Sequence, residues 1–247
     1  MITGKTVLIT GGSSGIGLAT AKMMVANGAK VAITGTNSTK LASALKELDE
    51  HAIAIQADVT QSADLDKLCA KLKSEFGQLD VFFANAGIAY ATPLGATDEQ
   101  QYDQLMNVNV KGVFFSVQAV LPLMKSGSSI ILNTSWLNQV GTPRKSVLSA
   151  SKAAVRSFAR SMSAELVEQG IRVNCVSPGT IKTPLHRSVD ETEEHFSKYA
   201  EKVGQTAPIG RMGEPEEIAN AVMFLASNAS SYMLGAEIMV DGGRADI

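Results

Sequence analysis

The chain predicts an α/β domain built on a doubly wound parallel sheet, and three observations carry that expectation. Short apolar, β-branched runs alternate with amphipathic segments of helical period along nearly the whole length. A glycine cluster sits between the first apolar run and the first helical segment. The 247 residues are 45% hydrophobic and 19% charged, enough for one sizeable core, with no linker, low-complexity tract or repeat to divide residues 1–247 into two domains.

The elements follow in order. Thr6-Val7-Leu8-Ile9-Thr10 reads as a buried strand that stops at the glycine loop. Ile16, Ala19, Thr20, Met23, Met24 and Ala26 then recur at helical spacing, and Gly28 is placed to end that helix. A strand at 30–34, a helix at 40–48, a strand at 52–56, a helix at 62–76 and a strand at 81–84 repeat the rhythm. Such alternation implies crossover connections and parallel strands. One long helix is expected over 99–124, then a strand at 129–133, a helix at 149–168 and a strand at 171–176. The polar stretch 184–211, with its acidic run 190–194, breaks the pattern and reads as a solvated insertion or as a substrate flap. A helix at 216–226 and a strand at 237–240 complete the chain.

Composition narrows the function. With 22 Lys and Arg against 24 Asp and Glu, the net charge of -2 offers no basic excess for nucleic acid. Cys69 and Cys175 have neither disulfide-framework nor zinc spacing, and His51, His186 and His195 have no ligand spacing, so no metal is expected. No secretory signal and no apolar run of membrane-spanning length is visible, so the expected setting is the cytoplasm, with no membrane partner.

The spacing Gly11-x-x-x-Gly15-x-Gly17, between a strand and a helix, suits close approach of backbone amides and a helix N-terminus to a pyrophosphate. It lacks the Gly-Lys-Ser/Thr ending of a triphosphate loop, so a dinucleotide-binding Rossmann fold is favoured over an ATP site. At the end of the second strand, Thr34-Gly35-Thr36-Asn37-Ser38 holds no acid that would repel a ribose 2′-phosphate. Thr36 and Asn37 are therefore expected to face the 2′ position, and NADP(H) is favoured over NAD(H).

Taken in order, these motifs resemble the short-chain dehydrogenase/reductase family over essentially the whole chain. Thr10 to Gly17, including Ser13, Ser14 and Ile16, is similar to the family's cofactor loop; Asp58-Val59 resembles its adenine-contacting pair, and Asn85-Ala86-Gly87 its sheet-steadying motif beside the cofactor. Asn109, Ser135, Lys152 and Pro178-Gly179 follow in the family's order, with Ile181 and Thr183 where the family loop meets the nicotinamide. The resemblance implies that Asn109 holds a relay water, Ser135 orients the substrate oxygen and Lys152 grips the nicotinamide ribose. It also implies a homotetramer, with which the apolar terminus 233–240 is compatible.

The family chemistry calls for a tyrosine four residues before that lysine, because a developing alkoxide needs a proton. Leu148 stands there, and the register holds: Ser135 lies thirteen residues upstream and small residues flank both sides. None of the four tyrosines, Tyr90, Tyr102, Tyr199 or Tyr232, takes the place, and Tyr90 is the one expected near the cofactor. Four readings compete. The first is a carbonyl or quinone oxidoreductase whose proton comes from Lys152, Ser135, Tyr90 or water. The others are a redox reaction on an already charged iminium, a nucleotide-binding sensor or partner subunit, and a structural oligomer. A small-molecule oxidoreductase is preferred. Trp136, Asn138, Gln139 and His186 are candidate substrate contacts, but Trp136 is as often simple packing, Asn138 and Gln139 more often satisfy loop backbone, and a solvated loop role is preferred for His186.

Overall fold

The structure is a computed structural model that describes residues 2–48, 50–186 and 192–247. Seven strands form one sheet: β1 (Thr6–Thr10), β2 (Lys30–Gly35), β3 (Ala52–Gln56), β4 (Leu79–Ala84), β5 (Met124–Asn133), β6 (Arg172–Pro178) and β7 (Glu237–Val240). Their spatial order is β3-β2-β1-β4-β5-β6-β7, and every pairing is parallel. The chain is thus the doubly wound α/β domain its sequence predicts. Strand order reverses direction at β1, and the crossovers leave β1 and β4 on opposite sides, which opens a crevice beyond their carboxyl ends.

Alternation along the pleat makes two cores. Val7, Ile9, Val81, Phe83 and Ile131 face α1 (Gly15–Ala26), α2 (Ser38–Glu47) and α8 (Pro215–Ala226), meeting Met24, Leu41, Ile218, Val222 and Leu225. Leu8, Phe82, Ile130 and Leu132 face α3 (Ser62–Phe76), α5 (Gly112–Val120) and α6 (Ser146–Leu166). Burial on both faces is why the central strands are apolar throughout rather than alternating. No helix among the described residues is long and apolar enough to cross a membrane.

Most boundaries shift by a few residues, and three departures from expectation are larger. The helix expected over 99–124 is α4 (Glu99–Met106), a π-helical turn over Asn107–Lys111, α5, and a 3-10 turn. Its apolar pattern continues across the break, so periodicity alone does not reveal it. Strand β5 starts at Met124 because Leu79 pairs with Met124 ahead of a register shift before Val81, while Lys125, Ser126 and Gly127 are exposed and carry no apolar signal. The polar stretch holds a helix, α7 (Glu193–Gly204), that buries Phe196 and Ala200, one turn apart, and is capped when the Thr192 hydroxyl accepts the His195 N–H. Of the acidic run, Asp190 and Glu191 lie outside the described residues, while Glu194 pairs with Lys198 on the exposed side of α7.

Candidate active site

One cavity of about 810 Å³ runs along the carboxyl ends of the strands, and its wall follows the sheet order. Asp58 and Val59 line it after β3, Thr36, Asn37 and Lys40 after β2, and Gly11, Ser13, Ser14, Gly15 and Ile16 after β1. Asn85, Ala86 and Gly87 follow after β4, Ser135 and Trp136 after β5, Pro178, Gly179, Ile181 and Thr183 after β6, and Arg244 after β7. Lys152 and Leu148 enter from α6. Eighteen of the twenty residues expected to bind the cofactor or serve catalysis thus share one wall; Gly17 and Asn109 do not.

Gly17 corrects the expectation that all three glycines face a pyrophosphate. A Cβ there would collide with the Gly11 carbonyl, so its missing side chain lets α1 pack onto the loop. Gly15 does line the cavity, at φ 52, and a Cβ on it would lie 3.0 Å from Thr183, where the glycine loop meets the segment after β6. Ser14 precedes α1 without a side-chain cap, so no hydroxyl occupies the first amides of that helix. Asn37 is committed locally: its Oδ1 accepts the Lys40 N–H at 2.9 Å, leaving the amide NH₂ as its donor.

A hydrogen-bonded chain fixes the centre. Thr10 Oγ1 accepts the N–H groups of Asn85 and Ala86, and Asn85 Nδ2 donates to the carbonyls of Thr10 and Gly11. Asn133 Nδ2 donates to Asn85 Oδ1 at 2.8 Å, and Lys152 Nζ donates to the Asn133 carbonyl at 2.9 Å. Burial lowers the Lys152 ammonium to about 8. Ser135 Oγ accepts the Leu137 N–H at 3.3 Å. Asn109, fully buried, accepts the Ile88 N–H and donates to the Ile88 carbonyl and the Ser151 hydroxyl; it shapes the wall from beneath without reaching it.

The Leu148 side chain is buried against Leu105 and Leu137, with Ala89, Tyr90 and Trp136 around them. The Tyr90 hydroxyl donates to the Gln101 carbonyl at 2.5 Å and is absent from the cavity wall, although Ile88 and Ala89 of its loop line it. Tyr199 of α7 is the tyrosine that lines the cavity. Asn138 and Gln139 are turned away as well, donating to the Glu237 carboxylate.

Among the wall residues that the sequence reasoning missed are Lys40, Lys145, Tyr199 and Arg244. Lys40, in the first turn of the helix after β2, had a signal in its distance from the glycine loop. The other three come from separate segments that only the fold brings together.

Fold and cavity together define a dinucleotide-binding α/β protein. The chain matches the family model described as enoyl-(acyl carrier protein) reductase over residues 11–245. It is 44% identical, over all of its own length and 98% of the relative's, to an oxidoreductase, asL5, of Sarocladium schorii. It is 36% identical to an NADP-dependent (R)-specific alcohol dehydrogenase of Lentilactobacillus kefiri, over 98% of this chain and 97% of that one. A solved Serratia marcescens short-chain dehydrogenase/reductase variant superposes with a TM-score of 0.90 at 30% identity, covering 99% of each chain. The chain belongs to the short-chain dehydrogenase/reductase family, whose members here are oxidoreductases.

Proposed function

We propose that the protein is an NADP(H)-dependent oxidoreductase for a carbonyl/alcohol or quinone-like small molecule, working without a tyrosine acid. The supporting observation is the continuous cavity, with an uncapped helix start at its middle and buried Lys152 beside it. When bound, the dinucleotide supplies or accepts the hydride. The amides at the start of α1 receive its pyrophosphate, for which the glycine loop leaves room. Asp58 and Val59 border the adenine, while Pro178, Gly179, Ile181 and Thr183 border the nicotinamide.

At the 2′ position the wall offers Thr36, the Asn37 amide and the Lys40 ammonium, and no carboxylate. Lys40 supplies the cation that the turn sequence itself lacks. NADPH is expected to bind at least about tenfold more tightly than NADH, and Lys40→Glu to abolish that preference; fluorescence titration reads both. A wild-type preference for NADH would refute the cofactor assignment.

For the proton, Leu148 has none to give and Tyr90 is engaged with Gln101. Lys152 carries an exchangeable proton near neutral pH, and Ser135 orients the substrate oxygen. Asn109 acts through Ile88 as a positioning residue. Leu148 also favours a second reading, a nucleotide-binding sensor or partner subunit. NADPH oxidation over ketones, quinones and imines decides between them: turnover of any class supports the enzyme, and tight NADPH binding with no turnover supports the sensor.

The 184–211 segment serves as the substrate flap, since Pro184, Leu185, His186, Tyr199 and Val203 all line the cavity. A homotetramer is supported by Phe114 and Phe115 of α5, part-exposed beside Phe158 of α6, and by exposed Tyr232 and Leu234 before β7. Sedimentation velocity should show a species of four chains, and a monomer would refute it.

A further inference from the structure

The cavity wall is electrically lopsided. Among the described residues its one carboxylate is Asp58, after edge strand β3, and that side chain already accepts from the Thr60 N–H and hydroxyl. At the opposite end, beyond β5, β6 and β7, the wall holds Lys145, His186 and Arg244. Nearby acids of the described chain are engaged elsewhere: Glu237 with Arg156, Glu214 with Lys182, Glu217 with Arg211. Asp241, which adds to the field at Arg244, uses its carboxylate oxygens on the N–H groups of Gly243 and Ala245.

Arg244 is held at two points. Its guanidinium carbon lies 4.3 Å from the centre of the Trp136 ring, and Nη1 donates to Thr180 Oγ1 at 2.8 Å. A guanidinium anchored in this way at a cavity wall has donors to spare for the fork of a carboxylate. Lys145 is also placed by structure. Arg144, just before it, is the sole non-glycine residue with positive φ among the described residues (φ 64), and its carbonyl is held by the Thr92 N–H at 2.7 Å. Such backbone strain recurs where a side chain must be aimed. Partial burial lowers the pKa of Lys145 and of His186, and the Lys145 charge lowers His186 further. An anion entering between them would relieve both effects.

Leu148, Leu185 and Val203 line the cavity with these cations, alongside Thr142, Thr180 and Tyr199. We propose that this end of the cavity binds a carboxylate on the substrate, so that the substrate is an acid-bearing carbonyl compound or its alcohol. Arg244, held against Trp136, grips the carboxylate, and Lys145 faces it from the start of α6. The inference rests on the oxidoreductase reading for the carbonyl, but the anion site is independent of turnover.

The test is calorimetric titration of the purified full chain, with and without saturating NADP⁺, using benzoate against benzamide. Wild type is expected to bind benzoate about ten- to a hundred-fold more tightly, as for a charge-assisted pair. Arg244→Gln and Lys145→Gln should each reduce that ratio, and Arg244→Lys should keep part of it. Equal binding of the two probes by wild type, or a preference that survives both glutamine variants, overturns the proposal. With turnover detected, levulinate should also exceed its methyl ester in kcat/KM, and the reverse order counts against the site. Binding of benzoate without NADPH or NADH binding overturns the oxidoreductase reading alone; NADPH binding with no benzoate preference overturns this inference alone.

Discussion

Leu148→Tyr is expected to raise NADPH-dependent ketone reduction by about 10²- to 10⁴-fold, the usual worth of a positioned acid. Leu148 lies one helical turn before Lys152 on α6, and both line the cavity. Leu148 packs against Leu105 and Leu137 while also lining the cavity, so a phenol there would extend from that packed position toward the cavity. The ammonium next to it would stabilise the phenolate and lower the phenol's pKa. The pH dependence separates the two acids. On the proposed mechanism the wild-type donor is the Lys152 ammonium, intact below about 8 and lost above it. Ketone reduction should therefore fall as pH rises through about 8, and alcohol oxidation, which needs the neutral amine, should rise. A wild-type profile flat across that range would exclude Lys152 as donor, and an unchanged rate in Leu148→Tyr would mean that the cavity does not place a carbonyl there.

Glu237→Leu should cost about 3–5 kcal/mol of stability in urea denaturation, because it strands a buried cation. Glu237 of β7 is 7% exposed and its partner Arg156 of α6 15%, with Nε and Oε2 at 3.1 Å. The same carboxylate accepts from Thr134 Oγ1, Asn138 Nδ2 and Gln139 Nε2. Those three residues bracket Ser135 and Trp136, so one carboxylate ties the last strand to the turn that carries both cavity residues. Removing Arg156 as well, in Arg156→Met with Glu237→Leu, should recover part of the loss, since no unpaired charge then remains. A loss below about 1 kcal/mol in the single variant would show that water reaches the pair.

What could be read from the sequence divides along physical lines. Strands β1, β3 and β7 and helix α3 match their expected bounds because apolar runs and flanking turn residues are local signals. The glycine loop, Asn85 and Lys152 were legible because their chemistry depends on a strand-loop-helix order that the chain itself displays. Helix α7 was hidden, since only Phe196 and Ala200 of its mostly polar surface are buried apolar residues. Arg244, Lys145 and Tyr199 were hidden for a different reason: they stand far apart in the chain, and only the sheet order β5-β6-β7 gathers them. Asn138 and Gln139 show the opposite case, candidate substrate contacts by their type that serve a carboxylate ninety-nine and ninety-eight residues away.

The π-helical turn at Asn107–Lys111 amounts to one surplus residue inserted into an otherwise regular helix. Excising a single residue there would let the hydrogen-bond ladder close in the ordinary i to i−4 phase. The helical faces on either side would keep their phase, because the wider turn already absorbs the surplus residue. What would change is the turn itself, where Asn109 bonds the Ile88 backbone, while Val113 and Val117 would stay in the core with Leu65 and Leu68. The surplus residue therefore serves the position of one buried asparagine and not the packing of the helix that carries it.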